Sequence, residues 1–463
     1  MFFLSLAVLT SASAFAGHKD VKIINEIKIL KNRLTKQHPI DDQEQYENFC
    51  KDNGFANQCN SSHYLYKKLS NEELLAYDNY LSSLYQILEK KLPTTRLITN
   101  KKQTIISKIK AAIDQALIGD ALGFLIENES TIAEMKEHFP NGVVDISSVS
   151  DSLKANKLST KYGKYNNNNL NHLGKIIYSD DTEMSLLTLY SALKSYKKDQ
   201  KNIDLIMGDF SKNLAIHWYL NLKLSGKYGE DGLYYGMRGY GKKSLESFSD
   251  IYHNKLSDKS NLNNGSLISS WIFGLMPYEN YQIASEIAFN KSLITNKSYE
   301  VATSCAVMAA AIHIAIYDMP RSKIEIVDKM IEVALLFENK YSNQNPLTST
   351  YLKYAKLAAL EDINPVLFYN SNIGYYAPET TAAVVFCFLR HEYFLTSLIE
   401  SIHIPGDSDS VANLSSALMG AYFGIKSFPK EYQDFIEVPS MTLRDDIFGM
   451  NSLIDEILAN IHR

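Results

Sequence analysis

Ser179-Asp180-Asp181-Thr182-Glu183-Met184 and Gly406-Asp407-Ser408-Asp409-Ser410-Val411-Ala412-Asn413 are two short acidic runs more than 220 residues apart. Each leads into a segment whose apolar residues recur at helical spacing. The simplest explanation of either run is helix capping, with Asp180 and Glu183 as a capping box in the first and an Asp N-cap in the second. A cap needs one acid, and each run carries more. Adjacent carboxylates raise one another's pKa unless a cation lies between them. Hard oxygen donors of this kind suit Mg²⁺, Mn²⁺ or Ca²⁺ better than zinc. Two such runs, brought together by the fold, would make a two-metal site.

Helical periodicity extends outward from both runs. It covers 101–127, 180–197, 203–223, 279–290, 299–317, 323–338, 348–360, 378–402, 409–425 and 443–461, while strand-like alternation is scarce. The expected fold class is therefore all-α. Residues 71–91 also repeat apolar side chains at helical spacing, so 17–100 reads as a helical extension ahead of a main domain over 101–463. The stretches 141–178 and 224–265 read as long surface loops, and loops of that length in a compact domain often carry function. Gly420 and Gly424, four apart, share one face of the helix after the second run and would allow close backbone approach.

Three further motifs bear on chemistry. In Ile118-Gly119-Asp120-Ala121-Leu122-Gly123-Phe124-Leu125-Ile126-Glu127, Gly119, Gly123 and Glu127 recur every four residues along one stripe. Glu127 then lies where a carboxylate can reach a site that the glycines let the backbone approach. Arg238-Gly239-Tyr240-Gly241 and Asn263-Asn264-Gly265-Ser266 are glycine-rich turns able to offer backbone N–H groups to a phosphate. The stretch 236–243 (GMRGYGKK) falls short of a P-loop, because Lys243 stands where Ser or Thr is required and a buried strand does not precede it.

Composition narrows the function class. The 463 residues are 45% hydrophobic and 21% charged, with a net charge of −5, which argues against nucleic acid as a primary partner. Residues 1–16 (MFFLSLAVLTSASAFA) are uncharged and end in Ala14-Phe15-Ala16, the pattern of a signal peptide cut before Gly17. An exported protein, secreted or periplasmic, is expected, with neither a membrane span nor a membrane partner. Cys50 and Cys59 are close enough in sequence to pair in such a compartment, whereas Cys305 and Cys387 sit in apolar helical runs as core residues.

Taken in order, GDALGFLIE, SDDTEM, RGYG, NGSLIS and GDSDSVANLSSALMGAYFG resemble the ADP-ribosylglycohydrolase family over about 101–429. The resemblance implies a monomeric all-helical hydrolase with two Mg²⁺ ions, or Mn²⁺ in their place, acting on an ADP-ribosylated protein or an ADP-ribose-containing small molecule. It implies Ser179, Asp180, Asp181, Asp407, Asp409 and Ser410 as metal ligands. Glu127 or Asp181 becomes the catalytic carboxylate. Gly239, Tyr240, Asn264, Gly265, Ser266 and Asn296 become substrate contacts. The chain departs from the family pattern in using Ser179 and Ser410 where threonine is usual, Ile268-Ser269 for a Met-Arg pair, Asn296 for a histidine, and Pro405 for a glycine. The changes at Ser269 and Asn296 keep a second class open, a non-catalytic protein that binds ADP-ribose or a partner.

Overall fold

The computed structural model describes residues 79–86, 104–127, 141–144, 175–198, 203–224, 242–255, 262–341, 347–362, 375–404, 406–424, 435–443 and 446–461, with isolated residues between them. The signal-peptide segment, Cys50, Cys59, Gly239 and Pro405 lie outside the described residues. The fold is all-α. Its helices are α1 (Ile105–Gly123), α2 (Asp180–Lys198), α3 (Ile203–Leu224), α4 (Lys242–Tyr252), α5 (Tyr281–Thr295), α6 (Tyr299–His313), α7 (Lys323–Tyr341), α8 (Leu347–Leu360), α9 (Ala377–Arg390), α10 (Phe394–Ile402) and α11 (Ser408–Phe423). A two-stranded antiparallel hairpin, β1 (Ser440–Leu443) and β2 (Asp446–Gly449), precedes the last helix, α12 (Met450–Ile461).

The centre is α6. From Val301 to His313 every side chain is buried, and the helix packs against α5, α7, α9 and α11. Helices apolar all round belong in a core, which explains why Tyr299–Asp318, with the length and hydropathy of a membrane span, lies inside the protein. Cys305 and Cys387 are buried free thiols within this core. The helical residues 79–86 join it too, through buried Tyr80, Leu81 and Leu84, and the Tyr80 hydroxyl donates to the carbonyl of Phe139 at 3.1 Å.

The contact that positions the site is α1 against α11. A Cβ at Gly119 would lie 2.2 Å from the carbonyl oxygen of Ala412, and one at Gly420 would lie 2.4 Å from that of Ala111. The two backbones therefore touch where side chains are absent. Side chains of α11 then satisfy carbonyls of α1: Ser408 Oγ donates to the Gly123 oxygen at 2.9 Å and Asn413 Nδ2 to the Ala116 oxygen at 3.3 Å.

Four sequence expectations change. The pattern over 378–402 is two helices, broken at His391–Tyr393, where Arg390 Nη1 (2.7 Å) and His391 Nε2 both bind the buried Glu400 carboxylate. The pattern over 443–461 is a hairpin and then a helix; Pro439 and the β-branched Thr442 and Ile447 oppose helix before residue 450. The expected loop 224–265 contains α4, whose Leu245, Phe248 and Ile251 repeat at helical spacing beneath a polar composition. Gly424 is not inside α11 but caps it at φ +83°, a conformation that glycine adopts without strain.

A paired substitution tests the α1–α11 contact. Gly119→Ala is expected to lower stability by at least about 1–3 kcal/mol, since the added methyl meets backbone. Gly208→Ala, on an exposed turn of α3 with open space around it, should instead raise stability by about 0.5–1 kcal/mol. Urea denaturation midpoints of the two variants check both signs.

Candidate metal centre

The N-terminus of α2 is held by a residue from another helix. Asp120, fully buried near the end of α1, accepts from the backbone N–H of Ser179 at 3.1 Å and of Thr182 at 3.0 Å, and from the Thr182 hydroxyl. Capping is thus supplied from α1. Ser179 Oγ adds a local bond, accepting from the Asp181 N–H at 3.2 Å. The carboxylates of Asp180 and Asp181 are left out of the capping that the simplest reading of the sequence assigned to them.

The second run behaves similarly. Asp407 occupies the N-cap position of α11 but makes no side-chain cap bond. Its carboxylate instead accepts from Asn264 Nδ2 at 2.7 Å, and the same amide donates to Thr380 Oγ1 at 3.2 Å. Asp409, in the first turn of α11, accepts from the Ser410 N–H at 2.9 Å. Ser179, Asp181, Asp407, Asp409 and Ser410 are buried, Asp180 is half-buried, and the runs meet: the Ser410 hydroxyl hydrogen-bonds the Asp181 carboxylate.

Glu127 completes the cluster from a direction the sequence stripe did not specify. Helix α1 ends at Gly123, and a turn over 124–127 carries Glu127 outward. Oxygens of Glu127, Asp407 and Asp409 all lie within 4.8 Å of one another. Asp180 and Asp181 flank this trio and feel its charge.

The electrostatics follow from burial. Asp180 is raised well above the ordinary carboxylate range by desolvation and then by Glu127, Asp120, Asp407 and Glu183. Asp181 is raised by desolvation, Asp120, Asp180 and Asp407, and Asp409 by desolvation, Glu127, Asp407 and Asp181. Two unit charges about 4 Å apart at an effective dielectric of about 20 repel by about 4 kcal/mol. So many carboxylates cannot all stay ionised unless a cation lies among them; without one, some of them hold protons. Asp181 Oδ2 is buried and lacks a hydrogen-bond partner, the state of an oxygen awaiting a ligand. The donor set is oxygen only, three carboxylates within reach of one point, with two more and two hydroxyls around them, and it fits a hard divalent ion.

The other predicted contacts surround this centre. Tyr240 is nearly buried, and its hydroxyl lies 3.4 Å from His217 Nε2 and hydrogen-bonds Glu183. Burial, then the charges of Glu183, Asp180 and Asp181, hold its phenol protonated. Asn264, Gly265 and Ser266 form one 3₁₀ turn, with Gly265 next to Ser244 of α4. Asn296 is buried between α5 and α6, and its Oδ1 accepts from the Ser298 N–H at 3.1 Å, which shapes that connection.

Sequence reasoning passed over three contributors. Asp120 stood inside a quoted motif without a role; its position three residues before Gly123 was visible, its partner 59 residues away was not. Glu183 was read as a capping acid, yet it lies 3.7 Å from His217 Nε2. Lys291 of α5, buried, donates to Ser269 Oγ at 2.6 Å, so a positive charge sits beside the position where the sequence lacks arginine. Burial pushes the Lys291 ammonium down to about 8, with Cys305 opposing the shift.

The raised carboxylates make a stability prediction. Their contribution is fully present below about pH 3.8, where folded and unfolded chains are both protonated, and is lost as pH rises through the raised folded-state values. The chelator-treated protein is therefore expected to melt at progressively lower temperature from pH 5 to pH 8, and added Mn²⁺ should recover most of the loss at pH 8. Calorimetric melts across that range read both effects.

Comparison with known proteins adds three findings. A family model described as ADP-ribosylglycohydrolase matches residues 101–461. The chain is similar to ADP-ribosylhydrolase ARH3 of Mus musculus, at 20% identity over 366 residues, covering 72% of this chain and 88% of that protein. A solved structure titled ADP-ribosylglycohydrolase-related protein complex aligns over 77% of this chain and 97% of its own, with 18% identity and a TM-score of 0.46.

Proposed function

This chain belongs to the ADP-ribosylglycohydrolase family, and on that premise we propose that it is a divalent-metal-dependent hydrolase. It releases ADP-ribose from a modified protein, or from a smaller ADP-ribosyl compound, by breaking the glycosidic bond at the ribose C1″. One observation carries the reading: two acidic runs from distant parts of the chain converge with Glu127 on a buried, oxygen-only cluster.

Ser179, Asp180, Asp181, Asp407, Asp409 and Ser410 are the residues to hold Mg²⁺ or Mn²⁺, with Glu127 at the edge of the same cluster. When bound, the cations act as Lewis acids toward the ribose hydroxyls and a water. The remaining work falls to the protein. Glu127 is only partly buried, on a turn beyond the helix end, and serves as the base that takes a proton from the attacking water. Asp181, at 2% exposure and bonded to Ser410, is committed to the interior as a ligand. Asn264, fixed by Asp407 and Thr380, ties the turn over 264–266 to the acidic cluster. That turn faces the diphosphate, while Tyr240 and Glu183 form a wall beside Asp180.

Asp407→Ala and Asp180→Ala are each expected to lower ADP-ribose release by more than about 100-fold, since even outer-shell changes at metal sites cost about 10–100-fold. EDTA should do the same, with Mg²⁺ or Mn²⁺ restoring turnover. Mass spectrometry of Arg-, Ser- and Asp/Glu-linked ADP-ribosyl peptides reads the products and identifies the linkage. Unchanged turnover in Asp407→Ala would end the metal role. Tight ADP-ribose binding without any product, with metal supplied, would instead establish the non-catalytic reading that Ser269 and Asn296 motivate.

A further inference from the structure

Lys291 is a buried cation whose neighbours do not explain its charge. Its side chain is 1% exposed, yet among the described residues it forms no ion pair with Asp or Glu. Its ammonium donates to the Ser266 carbonyl oxygen at 3.1 Å and to Ser269 Oγ at 2.6 Å, and it lies 5.4 Å from the centre of the Phe210 ring of α3. Cys305 of α6 is the titratable group that faces it. An ammonium taken out of water needs a compensating charge or a strong hydrogen-bond set. Two hydroxyl or carbonyl acceptors and an aromatic face could equally be served by a neutral donor.

What the charge does face is the turn that carries Asn264, Gly265 and Ser266. The Ser266 carbonyl receives Lys291 on its inner side together with Ser270 Oγ at 2.5 Å, and the Ser266 hydroxyl is 3.1 Å from Thr295 Oγ1. The turn is therefore braced from α5, and its other end is tied to the acidic cluster through Asn264 and Asp407. A fixed positive charge directly behind a polar turn, in a water-poor interior, attracts an anion laid against the front of that turn more strongly than it would in solvent. The carboxylates beside it repel the same anion to the extent that bound cations leave them unneutralised, and a positive charge on this side opposes that repulsion.

We propose that Lys291 is a positioning residue for the substrate's diphosphate, supplying from beneath the turn over 264–269 the positive charge that offsets the neighbouring carboxylates. This rests on the functional reading above, which places a diphosphate at that turn. Lys291 does not touch the substrate; it acts through Ser266 and Ser269. The charge, rather than the hydrogen bonds alone, is the working element.

Calorimetric titration of the full chain with ADP-ribose and, separately, with inorganic pyrophosphate distinguishes these roles. Lys291→Gln keeps a hydrogen-bond donor and removes the charge; Lys291→Arg keeps the charge. The expected result is about tenfold weaker binding of both ligands by Lys291→Gln, recovery to within about twofold by Lys291→Arg, and an unchanged Mn²⁺-induced melting shift in both. Wild-type affinity in Lys291→Gln, or equal weakening in Lys291→Gln and Lys291→Arg, overturns the charge role and leaves only a structural strut. If the wild-type chain binds pyrophosphate in a Lys291-dependent way but does not bind ADP-ribose, the functional reading fails while the role of Lys291 stands. If it binds neither, both fall.

Discussion

Helices α1 and α11 bring their backbones together at Gly119 and Gly420, where a Cβ would meet the carbonyls of Ala412 and Ala111, and the site is built on that contact. At the end of α1 the turn to Glu127 emerges beside the start of α11, so Glu127, Asp407 and Asp409 share one small volume. A side chain wedged between these helices would meet backbone and push them apart, and groups that must act on one point tolerate little displacement. Asp120 extends the same frame. By binding the N–H groups of Ser179 and Thr182 it fixes α2 to α1, so the first acidic run is delivered to the second.

That arrangement gathers more negative charge than a folded protein holds comfortably. Asp120 is pushed toward the protonated form by burial, with its hydrogen bonds to Ser179 and Thr182 opposing the shift, and Asp180, Asp181 and Asp409 are pushed the same way by desolvation and by neighbouring carboxylates. Buried groups in such a state are a store of binding energy for a cation. Lys291, a buried cation of α5, lies under the turn over 264–269.

Much of this was legible in the residues, unevenly. The helices α5, α7 and α8 follow their apolar periodicity closely, because a helix with one buried face has one way to satisfy it, and α6 shows instead as a long apolar run. The break at His391 was hidden, since apolar spacing continues across it and the cause, Glu400 binding Arg390 and His391, is an ion-pair geometry rather than a pattern. The helix α4 was masked by glycine, lysine and serine in its surroundings, and the hairpin at 440–449 by a short apolar run that fits either period. Lys291 was simply one lysine among many; its burial depends on Phe210, Ser269 and Cys305, none of them its sequence neighbours.

By itself the order of residues determined an all-helical chain, two acidic runs at helix starts, and a glycine stripe suited to close packing, because each of these is set by local spacing and residue type. Tertiary structure alone decided that Asp180 and Asp407 are excused from capping, that Asp120 and Asn264 hold the two runs in place, and that Lys291 of α5 is buried against Ser269. The physical reason is range. Periodicity and capping act within a few residues, whereas hydrogen bonds and charges act through space, between partners that the linear chain leaves 59, 143 or 22 positions apart.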